Sequence, residues 1–251
     1  MTITCTTDLA GEFKSRLLDV DQEELDEARK GFRTFGFAKV SFAVPPSIKA
    51  AVASDVTDLV EKAGIRRDLT FRETGDTPRR MRNVRQEAIN AHSSIIPSVY
   101  SEILNHGVLD FVAGEEVLPC PYLPERYVIT SLERNGDTHG WHWDDYSFAL
   151  VWVIECPPAQ FGGFVQCVPN SQWNKRDPQV NRILANNPIY SLELGAGDLY
   201  LMRTDTTMHR VYPVEQGRRV IINMGYAAHR DLAKQISHET MDDLWSIDLP
   251  A

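Results

Sequence analysis

The chain has 251 residues, 43% of them hydrophobic and 24% charged, enough for an ordinary globular protein with a sizeable core. Its net charge of -9 at pH 7 argues against a nucleic-acid or anionic-membrane surface as the main partner. No run approaches the roughly 18 apolar residues of a membrane span, and the opening MTITCTTDLAGEFKSRLLDV has neither the basic start nor the apolar segment of a secretory signal.

Helical patterns dominate up to about residue 120. DQEELDEARKGFRTFG has an acidic first turn and a glycine near its end. The run FGFAKVSFAV that follows reads as a strand. PPSIKAAVASDVTDLVEKAG opens on prolines, closes on glycine and repeats its apolar residues at three and four, the period of a helix with one buried face. Asp68 to Asn83 shows no clean period and many charges, which predicts a loop. SIIPSVYSEILNHGVLDFVAG predicts one or two short helices.

Beyond residue 120 the pattern changes to short strands between turn signals: RYVITSLER, HGWHWD, SFALVWVIE, GFVQCVP, YSLELG, DLYLMR, MHRVYPV and RRVIINMGYA. Eight such strands without intervening helices predict a jelly roll. The expected architecture is one α+β domain: helical support over about 1–120, a double-stranded β-helix over about 121–230, and a helical tail over about 231–251. The four cysteines (Cys5, Cys120, Cys156, Cys167) make no CxxC pair and are read as reduced thiols of a cytoplasmic protein.

One stretch of the roll is chemically conspicuous. THGWHWDDYSFALVWVIE places two histidines and two adjacent aspartates at the start of an apolar strand. Residues i and i+2 of a strand share a face, so His142 and Asp144 are expected to point together into the barrel. His209 opens another strand 65 residues after Asp144. Two imidazoles and one carboxylate on one face of a metal leave positions open, as in non-haem Fe(II) oxygenases. Arg219 lies ten residues past His209, after a glycine turn. Its planar guanidinium suits a bidentate pair with a carboxylate. The doublet leaves Arg218 as the competing residue.

HxD, a distal histidine and then PV..G.R resemble the Fe(II)/2-oxoglutarate-dependent dioxygenases over about residues 120–230. The resemblance implies Fe(II) on His142, Asp144 and His209, with 2-oxoglutarate and O2 as co-substrates and the far carboxylate of 2-oxoglutarate on Arg219. HGWHWDDYSFALVWVIE, the helical front half and the length further resemble the group that contains the radical halogenases of free lysine and related amino acids. The halogenating members replace the HxD carboxylate by glycine; this sequence keeps Asp144. The resemblance therefore implies a hydroxylating relative acting on a free amino acid, L-lysine at C4 foremost. Its rivals are a radical halogenase, a hydroxylase of a peptide side chain, and a non-enzymatic jelly-roll binding protein.

The remaining candidates have two readings each. His139 and Asp145 either flank the ligands at the surface or line a substrate pocket, and Asp145 can line it only if the strand ends or bends after Asp144. Arg79 and Glu125 are either solvated charges or the partners of a substrate carboxylate and ammonium. Asn223 shares the face of Arg219 and either lines the pocket or satisfies its amide in the core. Trp245 is either a packing anchor or a lid residue over the substrate. HRD at 229–231 lacks the other parts of a kinase loop, and GAGD is a turn without a nucleotide fingerprint.

Overall fold

The computed structural model describes residues 8–246; Cys5 and positions 247–251 of the expected tail lie outside them. The helices are α1 (Leu9–Leu18), α2 (Gln22–Phe35), α3 (Pro46–Ala63), α4 (Gln86–His92), α5 (Ile95–Asn105), α6 (Val108–Ala113), α7 (Val180–Asn186), α8 (His229–Leu232) and α9 (Glu239–Ser246). The strands are β1 (Phe37–Lys39), β2 (Ile65–Thr70), β3 (Pro78–Val84), β4 (Leu118–Pro119), β5 (Tyr127–Leu132), β6 (Asp137–His142), β7 (Phe148–Glu155), β8 (Val165–Pro169), β9 (Tyr190–Leu192), β10 (Leu199–Arg203), β11 (Thr207–Val214) and β12 (Arg219–Ala227). None of the described helices is long and apolar enough to cross a membrane.

Local chemistry accounts for the expected helices. Asp21 accepts the Glu23 N–H at 3.0 Å to start α2, and Gly36, at φ 74°, ends it in a left-handed conformation that costs glycine little. In α3, Pro46 occupies the first turn, where its missing N–H is not needed, and Ile48, Val52, Val56 and Leu59 bury one face. The run 94–114 splits into α5 and α6. Three helices have no counterpart in the sequence reading. The only buried residue of α1 is Phe13, α4 buries only Gln86 and Ile89, and α7, which interrupts the expected run of strands between β8 and β9, buries only Val180, so none carries an apolar stripe.

Two expectations are corrected. The strand over 35–44 is only β1, because the chain turns away at Ser41–Ala43, where Ser41 Oγ takes the Leu199 N–H at 2.9 Å. The loop predicted for Asp68–Asn83 is mostly the β2–β3 hairpin, and β3 runs in mid-sheet between β5 and β6. Along β3, Arg79, Met81 and Asn83 are buried while Arg80 is exposed. Arginines on both faces hid that alternation from the sequence.

The sheet runs β1-β10-β7-β12-β5-β3-β6-β11-β8-β9, with β2 added on β3 and β4 on β12. It curls into a double-stranded β-helix. Ala149, Val151 and Val153 of β7 and Ile221 of β12 pack against Val165, Cys167 and Leu192 from the far end of the strand path. The alternate residues of β7, Leu150 and Trp152, face outward into a second cluster with Val52, Val56, Ile96, Val99 and Ile103 of the helices. Both faces of β7 are therefore buried, which is why SFALVWVIE reads as a continuous apolar run. Cys120, Cys156 and Cys167 are free thiols.

The helical layer fixes the outer face of the site-bearing sheet. Phe32 of α2 is 2% exposed and packs on Phe148 with ring centroids 6.1 Å apart. Phe32→Ala should cost about 3–5 kcal/mol, read as a lower urea midpoint with unchanged slope.

Candidate active site

Strands β6 and β11 build the centre. His142 stands opposite His209, and His139 opposite Val211, so three steps along β6 match two along β11. That bulge reverses the alternation and brings His139 to the face of His142, where their rings stack at 3.8 Å. Gly140 sits inside the bulge, and a Cβ there would lie 2.6 Å from the Pro78 carbonyl oxygen. Only glycine fits that approach.

The two imidazoles are oriented alike. His142 Nδ1 lies 2.7 Å from the Gly140 carbonyl oxygen, and His209 Nδ1 2.9 Å from that of Thr207. A carbonyl only accepts, so each Nδ1 carries the proton and each Nε2 offers its lone pair to the cavity. Burial foremost, and then the neighbouring His139, hold the His142 imidazole well below its usual pKa, in the neutral form a metal requires.

Asp144 reaches them by a different route from the one expected. β6 ends at His142, so Asp144 comes from a loop and not from strand alternation. Its Oδ1 lies 3.6 Å from His142 Nε2 and 3.9 Å from His209 Nε2. The loop is pinned on three sides: Asp144 N–H to the Thr204 carbonyl at 3.3 Å, Trp143 Nε1 to Ser171 Oγ at 3.0 Å, and Ser147 N–H to Asp231 at 3.1 Å. Burial raises the Asp144 carboxyl pKa, with Asp145 adding to the shift. The ligand atoms of the three residues lie within 4.8 Å of one another. Two imidazoles and one carboxylate fit a divalent first-row ion such as Fe(II) and leave half an octahedron open. A closed zinc site would need a fourth protein ligand.

Arg219 is 1% exposed and lines the cavity, and its Nε and Nη2 have no hydrogen-bond partner. Its polar neighbours Tyr200 and Cys156 are neutral groups. Buried donors of a permanent cation call for an anion, and a carboxylate matches the guanidinium fork. Arg218 faces outward and pairs with Glu155 at 2.8 Å and Glu61 at 3.2 Å.

The cavity is also lined by Arg79, Glu125, His139, Asp145 and Asn223. Arg79 is 7% exposed, with its guanidinium 4.6 Å from the Phe71 ring, and burial lowers its pKa to about 10. His139 Nε2 and Asn223 Oδ1 are buried without partners. Burial, reinforced by Asp145 and Asp144 and opposed by His238, raises Glu125 to about 7. Asp145 is turned inward because the strand does end before it, and its side chain is only 2% exposed. Trp245 is not among the cavity residues; it packs on Arg67, 5.3 Å from its ring, while Thr240, Met241 and Leu244 of α9 face the cavity.

Sequence reasoning missed Asn83, Thr130 and Tyr200, which also line the cavity, and Lys175 and His238 at its mouth. Asn83 shares the parity of Arg79 on β3 and was legible had that strand been recognised. Lys175 and His238 lie in irregular segments with no periodicity to flag them.

The family described as Halogenase D matches residues 20–246. No curated protein matches the chain. Among solved structures, the alpha ketoglutarate dependent carbocyclase SnoK from nogalamycin biosynthesis is similar at 16% identity over 83% of this chain and 84% of its own, with a TM-score of 0.62. The epimerase SnoN, in complex with Fe3+, alpha ketoglutarate and nogalamycin RO, gives 15% identity, 83% and 85%, and 0.60. A Pseudomonas putida prolyl-4-hydroxylase gives 13%, 82% and 99%, and 0.56. At these identities the likeness is one of fold.

Asp231 clamps the ligand loop by accepting the Ser147 and Ala228 N–H groups, and Asp231→Ala should cost about 1–3 kcal/mol by orphaning them. Burial opposes its ionisation, but those donors and Lys234 outweigh burial and hold its pKa below the usual range. A depressed pKa gives stability that is present above the unfolded value and lost as pH falls through the folded value. The deficit of the variant, large at pH 7, should therefore shrink below about pH 4, as urea midpoints at both pH values would reveal.

Proposed function

The chain belongs to the Halogenase D family, and within it we propose an Fe(II)/2-oxoglutarate-dependent hydroxylase of a free amino acid with a cationic side chain, L-lysine foremost. The observation that carries this reading is Asp144 converging with His142 and His209, opposite a buried guanidinium without a counter-anion. The halogenating members that the sequence resembles have glycine at the position of Asp144. A carboxylate there occupies the iron position that halide would need. The attacked carbon, C4, rests on that resemblance.

When bound, iron and 2-oxoglutarate supply the oxidising power that, with O2, converts a substrate C–H to C–OH and releases succinate and carbon dioxide. The chain's part is to hold, orient and shield. His142, Asp144 and His209 would hold the metal, and Arg219 the far carboxylate of 2-oxoglutarate. Arg79 and His139 present cationic and N–H groups suited to an amino-acid carboxylate. Glu125, Asp145 and the amide of Asn223 suit its ammonium groups, because a buried charge requires a partner. Leu244 and Met241 of α9 exclude water above the cavity. Trp245 serves this reading as the anchor that keeps α9 in place.

The decisive experiment is anaerobic loading with Fe(II) and 2-oxoglutarate, then O2, against free amino acids and a lysyl peptide with chloride present. Free lysine should gain one oxygen atom and no chlorine. Succinate without any oxidised amino acid would sink the substrate assignment, and chlorinated lysine would make the chain a halogenase. Arg219→Ala should raise the KM for 2-oxoglutarate about ten- to hundredfold, the loss of a charge-assisted pair, whereas Arg218→Ala should leave it within about twofold. Asp144→Gly should cut hydroxylation sharply, with at most weak chlorination, because halide binding needs supporting donors as well as an open position. An unchanged hydroxylation rate in that variant would remove Asp144 from the metal.

A further inference from the structure

The mouth of the cavity holds a second cluster of polar groups. Ligand atoms of Glu125, Asp145 and His238 lie within 4.8 Å of one another, a spacing that also suits a metal ion. The structure argues for a different chemistry, because a primary ammonium is already there. Lys175 Nζ lies 2.6 Å from Asp145 Oδ1 and 3.0 Å from Glu239 Oε2, and it donates to the Ser237 carbonyl. A divalent cation beside that ammonium would meet a like charge at close range.

Lys175 belongs to the irregular segment after β8, and its ammonium also sits 4.5 Å from the Trp173 ring. Its partners come from two places that must cooperate. Asp145 follows the ligand Asp144 in the pinned loop, whereas Ser237 and Glu239 mark the start of α9, whose Thr240, Met241 and Leu244 cover the cavity. His238, between those two, lies flat on Tyr122 with ring centroids 3.7 Å apart. Its Nδ1 points at the same acidic pair, 3.4 Å from Asp145 and 3.7 Å from Glu125. Tyr122 in turn hydrogen-bonds Asp242 of α9.

We propose that Lys175 is a substrate-positioning residue, a resident ammonium that ties Asp145 to the covering helix α9 and fixes the charge left over for the substrate. The inference rests on the reading of Glu125 and Asp145 as the ammonium subsite. Lys175 pairs with Asp145 and not with Glu125, so Glu125 is the carboxylate left freer for a substrate ammonium. It also makes closure of α9 and the placement of Asp145 one event. Removing it leaves Asp145 buried without its cation and frees the helix. The substrate then binds poorly and the cavity admits water, while the co-substrate end at Arg219 is untouched.

Lys175→Met keeps the length of the side chain and deletes the charge; Lys175→Arg keeps the charge. In Lys175→Met the amides of 237–246 should exchange hydrogen at least about tenfold faster, those of β7 staying as in wild type. The KM for L-lysine should rise about tenfold or more, kcat falling less than about threefold and the KM for 2-oxoglutarate staying within about twofold. Succinate should form in excess of oxidised lysine, and Lys175→Arg should restore coupling and protection. Should Lys175→Met fail to fold, Glu239→Gln, which weakens only the helix end of the bridge, should still speed exchange in 237–246. Unchanged α9 exchange in whichever variant folds, or a rise in the KM for 2-oxoglutarate equal to that for lysine, would overturn the proposal. If wild type oxidises no cationic amino acid, the substrate reading fails by itself, and the exchange comparison still decides the role of Lys175.

Discussion

A charge taken out of water needs a counter-charge or a neutral form, and the interior of this chain is organised by the distance it keeps between its own charges. Arg219 is 1% exposed, and Asp144, Asp145 and Glu125 line the same cavity without pairing with it. No carboxylate of the described residues forms an ion pair with Arg219. Had one done so, the guanidinium would be a structural brace with nothing to offer a ligand. The imidazoles follow the same rule in the other direction: burial keeps His139 and His142 neutral, so neither adds a cation to the buried guanidinium groups of Arg79 and Arg219.

Two departures from regular β-structure give this polar interior its form. The bulge between His139 and His142 sets both rings on one face, which strict alternation forbids. The end of β6 at His142 then lets Asp144 and Asp145 both turn inward. Each irregularity is held from outside: Gly140 by its contact with the Pro78 carbonyl, the loop by Thr204, Ser171 and Asp231. Asp231 belongs to the HRD triplet that has no kinase context. It works as a clamp on the loop that carries Asp144.

The surrounding fold supplies rigidity. β7 and β12 lie in mid-sheet, with inward residues against the opposite half of the barrel and outward residues under α3 and α5. Such doubly buried strands tolerate little displacement, because close-packed interiors transmit strain. Of the candidate site residues, Arg219 and Asn223 stand on β12, whereas His142 and His209 stand on β6 and β11 and Asp144 on the pinned loop. The groups at the mouth, by contrast, come from the 170–179 segment and from α9, and their hold on one another is electrostatic.

What the sequence determined by itself was whatever depends on residue identity and period. HxD, the later His209 and the arginine doublet named the candidate metal and co-substrate residues. Apolar periods of 3.6 and 2 separated the helical front from the strand-rich remainder. The tertiary structure alone decided orientation and partnership. Arg219 and not Arg218 enters the cavity because the β12 register puts Arg219 on the inner face and leaves Arg218 to Glu155 outside. Asp145 joins Asp144 because a strand stops, and Trp245 anchors α9 from outside the cavity because Leu244 and Met241 take the inner side of that helix. Strand β3 was hidden since its inward Arg79 and Asn83 are as polar as its outward Arg80. Lys175 and His238 were hidden more completely. They acquire meaning only from carboxylates 30 or more residues away in sequence, and no local period records which distant charges a folded chain brings together.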